Sequence, residues 1–191
     1  MHKYIWIFIL GVILSFASCR KPVNFSDDQS LKVDFSYDTI TFDTVFTSLG
    51  SSTRHLMVYN NNDENLKISS IRLQNGNQSQ FSINVDGEAG YDFSDIEIYA
   101  NDSIYIFVKV TINPNDQNTP FFVEEKLLFE TNGNKQEVSL TAFGQNANYI
   151  IADQHINGFP DFKIIADSLQ EVHWTSERPY VVYGYALINS Y

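Results

Sequence analysis

Between Ile104 and Ile112 every second residue is aliphatic: Ile104, Ile106, Val108, Val110 and Ile112 alternate with Tyr105, Phe107, Lys109 and Thr111. A period of two puts one set of side chains on one face of an extended chain and the other set on the opposite face. A helix would scatter these five aliphatics around its axis, so the segment commits to a strand. Aromatics at the alternate positions imply a central strand, covered for part of its length on both faces.

The same pattern recurs on either side. Leu56 and Val58 alternate with His55, Met57 and Tyr59, then give way to the polar turn Asn60 to Asn65. Leu66 and Ile68 share one phase and Ile71 and Leu73 the other, so a β-bulge is expected at Ser69-Ser70. Further strands are expected at 81–85, 96–99, 127–131 and 137–142. Asn132-Gly133-Asn134 joins the last two, because Asn and Gly tolerate the positive φ of a tight turn. No helical period appears in this span. Seven to nine short strands within 31–144 predict an all-β fold, an antiparallel immunoglobulin-like β-sandwich.

The order of these motifs carries a resemblance. Thr53 to Val58, Asn60, Leu66-Lys67-Ile68, Phe81-Ser82-Ile83, Asp102-Ser103-Ile104, Ile112-Asn113-Pro114, Leu128 to Asn132 and Val138 to Gly144 follow one another. This succession resembles the immunoglobulin-like domains of the hydin-type (ASH) and major-sperm-protein-like group. The resemblance covers most of 40–144 and implies a sandwich without a shared active site.

The chain opens with a different kind of segment. Met1-His2-Lys3 is followed by the apolar run Ile5 to Leu14 and by small residues before Cys19. A run of about ten apolar residues suits the core of an export signal and is too short to span ~30 Å of hydrocarbon. Ala17-Ser18-Cys19 resembles the lipobox of bacterial lipoproteins, which implies a signal peptide over 1–18 and lipid attachment at Cys19. Cys19 is the sole cysteine, so no intramolecular disulfide and no cysteine-based zinc site can form. Polar, aperiodic residues 19–30 read as a tether. The chain would be held on a membrane by lipid in the cell envelope, on a periplasmic or surface face of the outer membrane.

Removal of residues 1–18 takes away Lys3 and no acid. That leaves 11 basic side chains against 23 acidic ones, a formal charge of −12. Such a balance excludes nucleic acid as a partner and disfavours anionic head groups.

Residues 145–191 change character, with Gly158 and Pro160 as breakers and new apolar runs at 162–169 and 180–188. Trp174 followed by Arg178-Pro179-Tyr180-Val181-Val182-Tyr183-Gly184 resembles the entry into a parallel β-helix in longer Bacteroidota envelope lipoproteins. This implies a linker and the start of a second, truncated unit. The alternative is a strand added to the sandwich edge.

For chemistry the sequence offers little. His55, His155 and His173 sit in no hydrolytic motif, so no catalytic residue is assigned and the chain reads as a non-enzyme. The oxygen-rich loops 61–64 and 113–117 lack the EF-hand spacing and read as turn chemistry, so no metal or other cofactor is expected. Asp-Ser/Thr-aliphatic recurs at Asp38-Thr39-Ile40, Asp43-Thr44-Val45, Asp102-Ser103-Ile104 and Asp167-Ser168-Leu169. It resembles an O-glycosylation acceptor of Bacteroidota envelope proteins, implying sugar at Thr39, Thr44, Ser103 and Ser168. Tyr105 and Phe107 are the aromatics expected to face a ligand. Two functions follow from this: a spacer or protein-interaction module, or a carbohydrate-binding accessory lipoprotein.

Overall fold

The computed structural model describes residues 23–166 and 171–188. Cys19, the signal segment and Ser168 therefore lie outside the described residues. The strands are β1 (Asp34–Phe35), β2 (Thr39–Phe46), β3 (Arg54–Asn60), β4 (Leu66–Leu73), β5 (Phe81–Val85), β6 (Glu88–Gly90), β7 (Asp92–Phe93), β8 (Ile96–Ile98), β9 (Asp102–Val110), β10 (Phe121–Thr131) and β11 (Asn134–Gln145). Four more follow: β12 (Asn148–Ile151), β13 (Phe162–Ala166), β14 (Tyr180–Tyr183) and β15 (Tyr185–Ile188).

One sheet has the order β1-β3-β9-β5-β6; the other runs β2-β11-β10-β4-β7, with β8 also on β4. Without the short pieces β6, β7 and β8, this is the two-sheet strand order of an immunoglobulin domain. The first strand is divided between the sheets. β1 pairs antiparallel with β3, and β2 crosses over to run parallel to β11. The expected all-β sandwich is what the chain forms.

Two bulges set the register. On β10, Thr131 opposes Ile68 and Glu130 opposes Ser70, so Ser69 is the extra residue. Its hydroxyl donates to the Glu130 carbonyl at 2.8 Å. Leu66 and Ile68 before the bulge, and Ile71 and Leu73 after it, all turn inward. The second bulge, at Asp43 of β2, separates the Phe42–Ala142 and Thr44–Phe143 pairs.

The core lies between the sheets. Leu56, Val58, Phe81, Ile83, Ile106 and Val108 meet Phe42, Ile68, Leu73, Leu127, Phe129 and Leu140, all fully or nearly fully buried. Phe42 of one sheet contacts Phe81 of the other, with centroids 6.0 Å apart, and Phe35 reaches Phe129 at 4.6 Å. Each such side chain removed from water contributes about 1.5–3 kcal/mol, so aliphatic and aromatic burial fills the place where a disulfide often lies in this fold.

The tail forms no part of either sheet among the described residues. β12 pairs in parallel with β14, and β13 in parallel with β15. A corner precedes each second strand: Gly184, at φ 90°, separates β14 from β15 beneath Asp161. A Cβ at Gly184 would lie 2.8 Å from the Asp161 carbonyl oxygen, so the corner needs both the positive φ and the missing side chain.

Candidate interaction face and anchoring end

The two sheets present unlike outer surfaces. Outward positions of β10, β11 and β4 carry Glu124, Lys126, Glu130, Lys135, Glu137, Lys67 and Arg72, with one exposed aromatic pair, Phe122 and Phe143, toward the end that receives the tail. Ion pairs cross this face, Lys126 to Glu137 at 2.5 Å and Lys67 to Glu97 at 3.5 Å. The outward positions of β3, β9 and β5 instead carry His55, Met57, Tyr59, Ser103, Tyr105, Phe107, Lys109, Ser82 and Asn84. No carboxylate stands among them, in a chain with 23 acids.

Tyr105 and Phe107 occupy the centre of this second face and are 48% and 44% exposed. Their rings lie 6.2 Å apart at an interplanar angle of 11°. Cross-strand pairing sets His55 against Phe107 and Met57 against Tyr105. Beside Phe107 a shallow groove of about 450 Å³ is lined by Thr53, Ser82, Asn84, Tyr91 and Lys109. β9 is central, as its sequence implies, but among the described residues nothing from the tail covers its aromatic side, and Tyr105 and Phe107 stay open. The aromatics therefore form an exposed pair of parallel rings edged by hydroxyl, amide and ammonium groups, suited to an aromatic or ring-bearing ligand.

The opposite corner of the molecule is organised by the N-terminal residues. Residues 24–31, most of the stretch expected to be a tether, run along the end of the sandwich and are bound to it. Asn65 donates to the Asn24 carbonyl at 3.0 Å and accepts, through its own carbonyl, the Ser26 N–H at 2.9 Å. Asn132 donates to the Asp28 carbonyl at 2.9 Å, and Asn134 donates to those of Gln29 and Leu31 at 2.9 and 3.3 Å. Gln136 donates to the Val33 carbonyl at 2.9 Å. The Phe25 ring sits 6.3 Å from Tyr99, with the Lys67 ammonium 4.9 Å from its centroid. Within the strap Asp28 accepts the Ser30 N–H at 2.8 Å, which lowers its carboxyl pKa. The tether expectation fails over these residues because distant side-chain amides satisfy the strap's carbonyls.

The oxygen-rich loops are held by buried asparagines. Asn60 donates to the carbonyls of Glu64, Ile98 and Tyr99 at 2.8, 3.1 and 3.0 Å. At the other end, Asn146 donates to Asn115 and Gln117, while Asn115 closes its own turn on the Gln117 N–H. Among the described residues no three His, Cys, Asp or Glu side chains converge as a metal site would require. Glu125, 5% exposed, is a buried acid that sequence reasoning passed over. It accepts from the Asn75 N–H and amide and from the Lys126 N–H, fastening the turn after β4.

The remaining sequence candidates are scattered. Thr39 and Thr44 are exposed on β2, an edge strand, and Ser103 is half-buried at the start of β9. His55 lies 6.2 Å from the Tyr105 ring; His173 and His155 face carboxylates, Glu171 at 3.3 Å and Asp161 at 2.6 Å. The hydrogen bond that His155 donates to Asp161, then the Asp161 charge, raise the His155 pKa.

Beyond the sandwich, an open depression of about 780 Å³ lies within the tail, lined by Tyr149, Ile150, Ile164, Val172, Trp174 and Tyr180 among others. Trp174 stacks on Tyr180 at 4.3 Å and 11°. The Tyr149 hydroxyl donates to the Thr47 carbonyl, and Arg178 donates to Asn118, so the tail is joined to the end of the sandwich remote from the strap.

No protein-family model matches the chain, and no curated protein matches it in sequence. Among solved structures it is similar to the ASH/PapD-like domain of human CEP192 (PapD-like domain 7), at 12% identity and a TM-score of 0.37, over 68% of this chain and 94% of that one. It is also similar to a protein of unknown function from Porphyromonas gingivalis W83, at 12% identity and a TM-score of 0.41, over 71% of this chain and 58% of that one. A family 123 glycoside hydrolase from Clostridium perfringens aligns at 8% identity and a TM-score of 0.42, over 63% of this chain. The present chain spans 30% of that hydrolase.

Proposed function

We propose that this chain is a non-catalytic, lipid-anchored envelope protein whose immunoglobulin-like domain binds a partner through the outer face of β3, β9 and β5. The observation that carries the reading is the unequal sorting of charge. One outer face is laced with ion pairs, and the other centres on Tyr105 and Phe107, with no carboxylate among the outward residues of β3, β9 and β5 and Asp34 opposite Tyr59 only at its β1 edge. Exposed aromatics without competing charge are the usual core of a protein contact. Cys19 supplies the anchor, and the paired strands β12 to β15 begin a parallel solenoid stacked on the far end, as successive parallel pairs with matched corners would. A photo-crosslinking residue in place of Tyr105, compared with one in place of Thr141 on the opposite face, tests the binding face in the native host. Adducts at 105 and none at 141 are expected; equal adducts at both would refute it.

A second reading has its own observation in its favour. The near-parallel rings of Tyr105 and Phe107, 6.2 Å apart and exposed, offer aromatic surface to a sugar ring, and Asn84, Ser82 and Lys109 stand ready as hydrogen-bond partners. Glycan-array binding abolished by Tyr105→Ala or Phe107→Ala would establish this carbohydrate-binding role; an array without signal would leave the protein-contact reading in place.

A further inference from the structure

The strap fixes which end of the sandwich meets the membrane. We infer that residues 24–31 convert the lipid attachment into an oriented mount: the end carrying Asn65, Tyr99 and the β10–β11 turn faces the lipid surface, and the tail is held away from it. The inference rests on the proposed lipidation of Cys19.

Chain length limits how far this end can stand from the lipid. From Asn24 onward the chain is bound to the sandwich by Asn65, Asn132 and Asn134. Between Cys19 and Val23 there are four Cα steps, which at full extension reach about 14 Å. A lipid on Cys19 therefore holds this end of the domain close to the head groups. The strands set the opposite distance. β10 runs from Thr131 at the strap end to Phe121, near the loops that receive the tail. Its eleven residues span about 34 Å at the usual strand rise. Trp174, in the tail, therefore stands roughly a strand length farther from the membrane than Tyr99.

Net charge does not hold this end down. Arg20 and Lys21 follow Cys19 in the sequence, but Asp27, Asp28, Asp63 and Glu64 are all exposed at this end and outnumber them before anionic head groups. Connectivity and the hydrogen-bonded strap do the work, so the arrangement is insensitive to salt.

Native tryptophan makes the test direct, because Trp174 is the only tryptophan after residue 18. Two preparations are placed on phosphatidylethanolamine–phosphatidylglycerol vesicles carrying a nitroxide on the lipid head group. One is the exported protein from its host. The other begins at Cys19, with its thiol coupled to a maleimide head group. Trp174 emission is expected to be unquenched in both. In Trp174→Phe/Tyr99→Trp, most of the emission is expected to be lost. Trp174→Phe/Asp63→Trp places a second reporter on an exposed turn at the same end. Loosening the strap with Asn65→Ala/Asn134→Ala is expected to relieve the quenching at residue 99.

Equal quenching at residues 99 and 174 on the thiol-coupled protein, or quenching that vanishes at high salt, would overturn the orientation. An exported protein whose intact mass shows no acyl chain would overturn lipidation alone, because the coupled protein still reports the mount.

Discussion

Asn146 holds Asn115 by two contacts from one amide, to its carbonyl at 2.7 Å and to its side-chain oxygen at 2.8 Å. At the other end of the sandwich Asn60 holds the turn after β3 and the β8–β9 connection in the same manner. Both side chains are buried, so each satisfies carbonyls that water cannot fully reach.

Loss of either clamp leaves those carbonyls short of a donor. Asn60→Ala and Asn146→Ala are each expected to destabilise the domain by about 1–3 kcal/mol. Urea unfolding checks this, with a lowered midpoint and an unchanged slope. An unchanged midpoint for both variants would show that the loops find other partners.

Gly144 admits no side chain. A Cβ there would lie 2.7 Å from both Ile112 Cγ2 and the Phe121 ring. Gly144→Ala is expected to cost about 1–3 kcal/mol through overpacking, read from the same unfolding curves. Gly144→Ala/Phe121→Leu should recover part of that loss by clearing the ring.

His155 titrates above the ordinary histidine value because it hydrogen-bonds Asp161 across the 152–161 corner. The folded pKa exceeds the unfolded one, so its contribution is complete below the unfolded pKa and is lost as pH rises through the folded value. An NMR titration of the His155 ring should show the raised midpoint, and Asp161→Asn should bring it down. An identical midpoint in the variant would remove the pair as the cause.

Thr39 and Thr44 stand exposed on an edge strand, and Ser103 is half-buried beside Tyr59. If the Asp-Ser/Thr-aliphatic motifs accept sugar, Thr39 and Thr44 are expected to carry it ahead of Ser103. The intact mass of protein from the native host should exceed that of the lipidated polypeptide, and Thr39→Ala/Thr44→Ala should remove most of the excess. A native mass equal to the lipidated polypeptide would dispose of the modification.

What the sequence discloses depends on how local the cause is. The bulge at Ser69 is legible because Leu66, Ile68, Ile71 and Leu73 change phase around it. β2 is not, because its own bulge at Asp43 falls inside the strand and leaves only Ile40 and Phe42 in one phase before Val45. Asn60 and Gly144 both stand in the motif order that resembles ASH-type domains, and both prove to be structural fixtures.

The interaction face is only half legible. Alternation along β9 separates Tyr105 and Phe107 from the core, but it cannot say whether anything covers them. The strap is invisible to local reading. Its partners Asn65, Asn132 and Asn134 lie some 40 to 105 residues away, so a polar run without periodicity passes for a tether.

The crossing of the first strand has a mechanical consequence. β2 and β11 are parallel and paired at seven positions from Thr39–Ser139 to Phe46–Gln145. Tension drawn from the N-terminal side toward one end of the sandwich, and from the C-terminal side toward the other, slides these strands past each other. Their hydrogen bonds are then loaded together in shear, where an antiparallel pair pulled from one end would unzip bond by bond. A domain clamped in this way unfolds slowly under force, and it would yield first at Asp43, where the ladder already skips a residue.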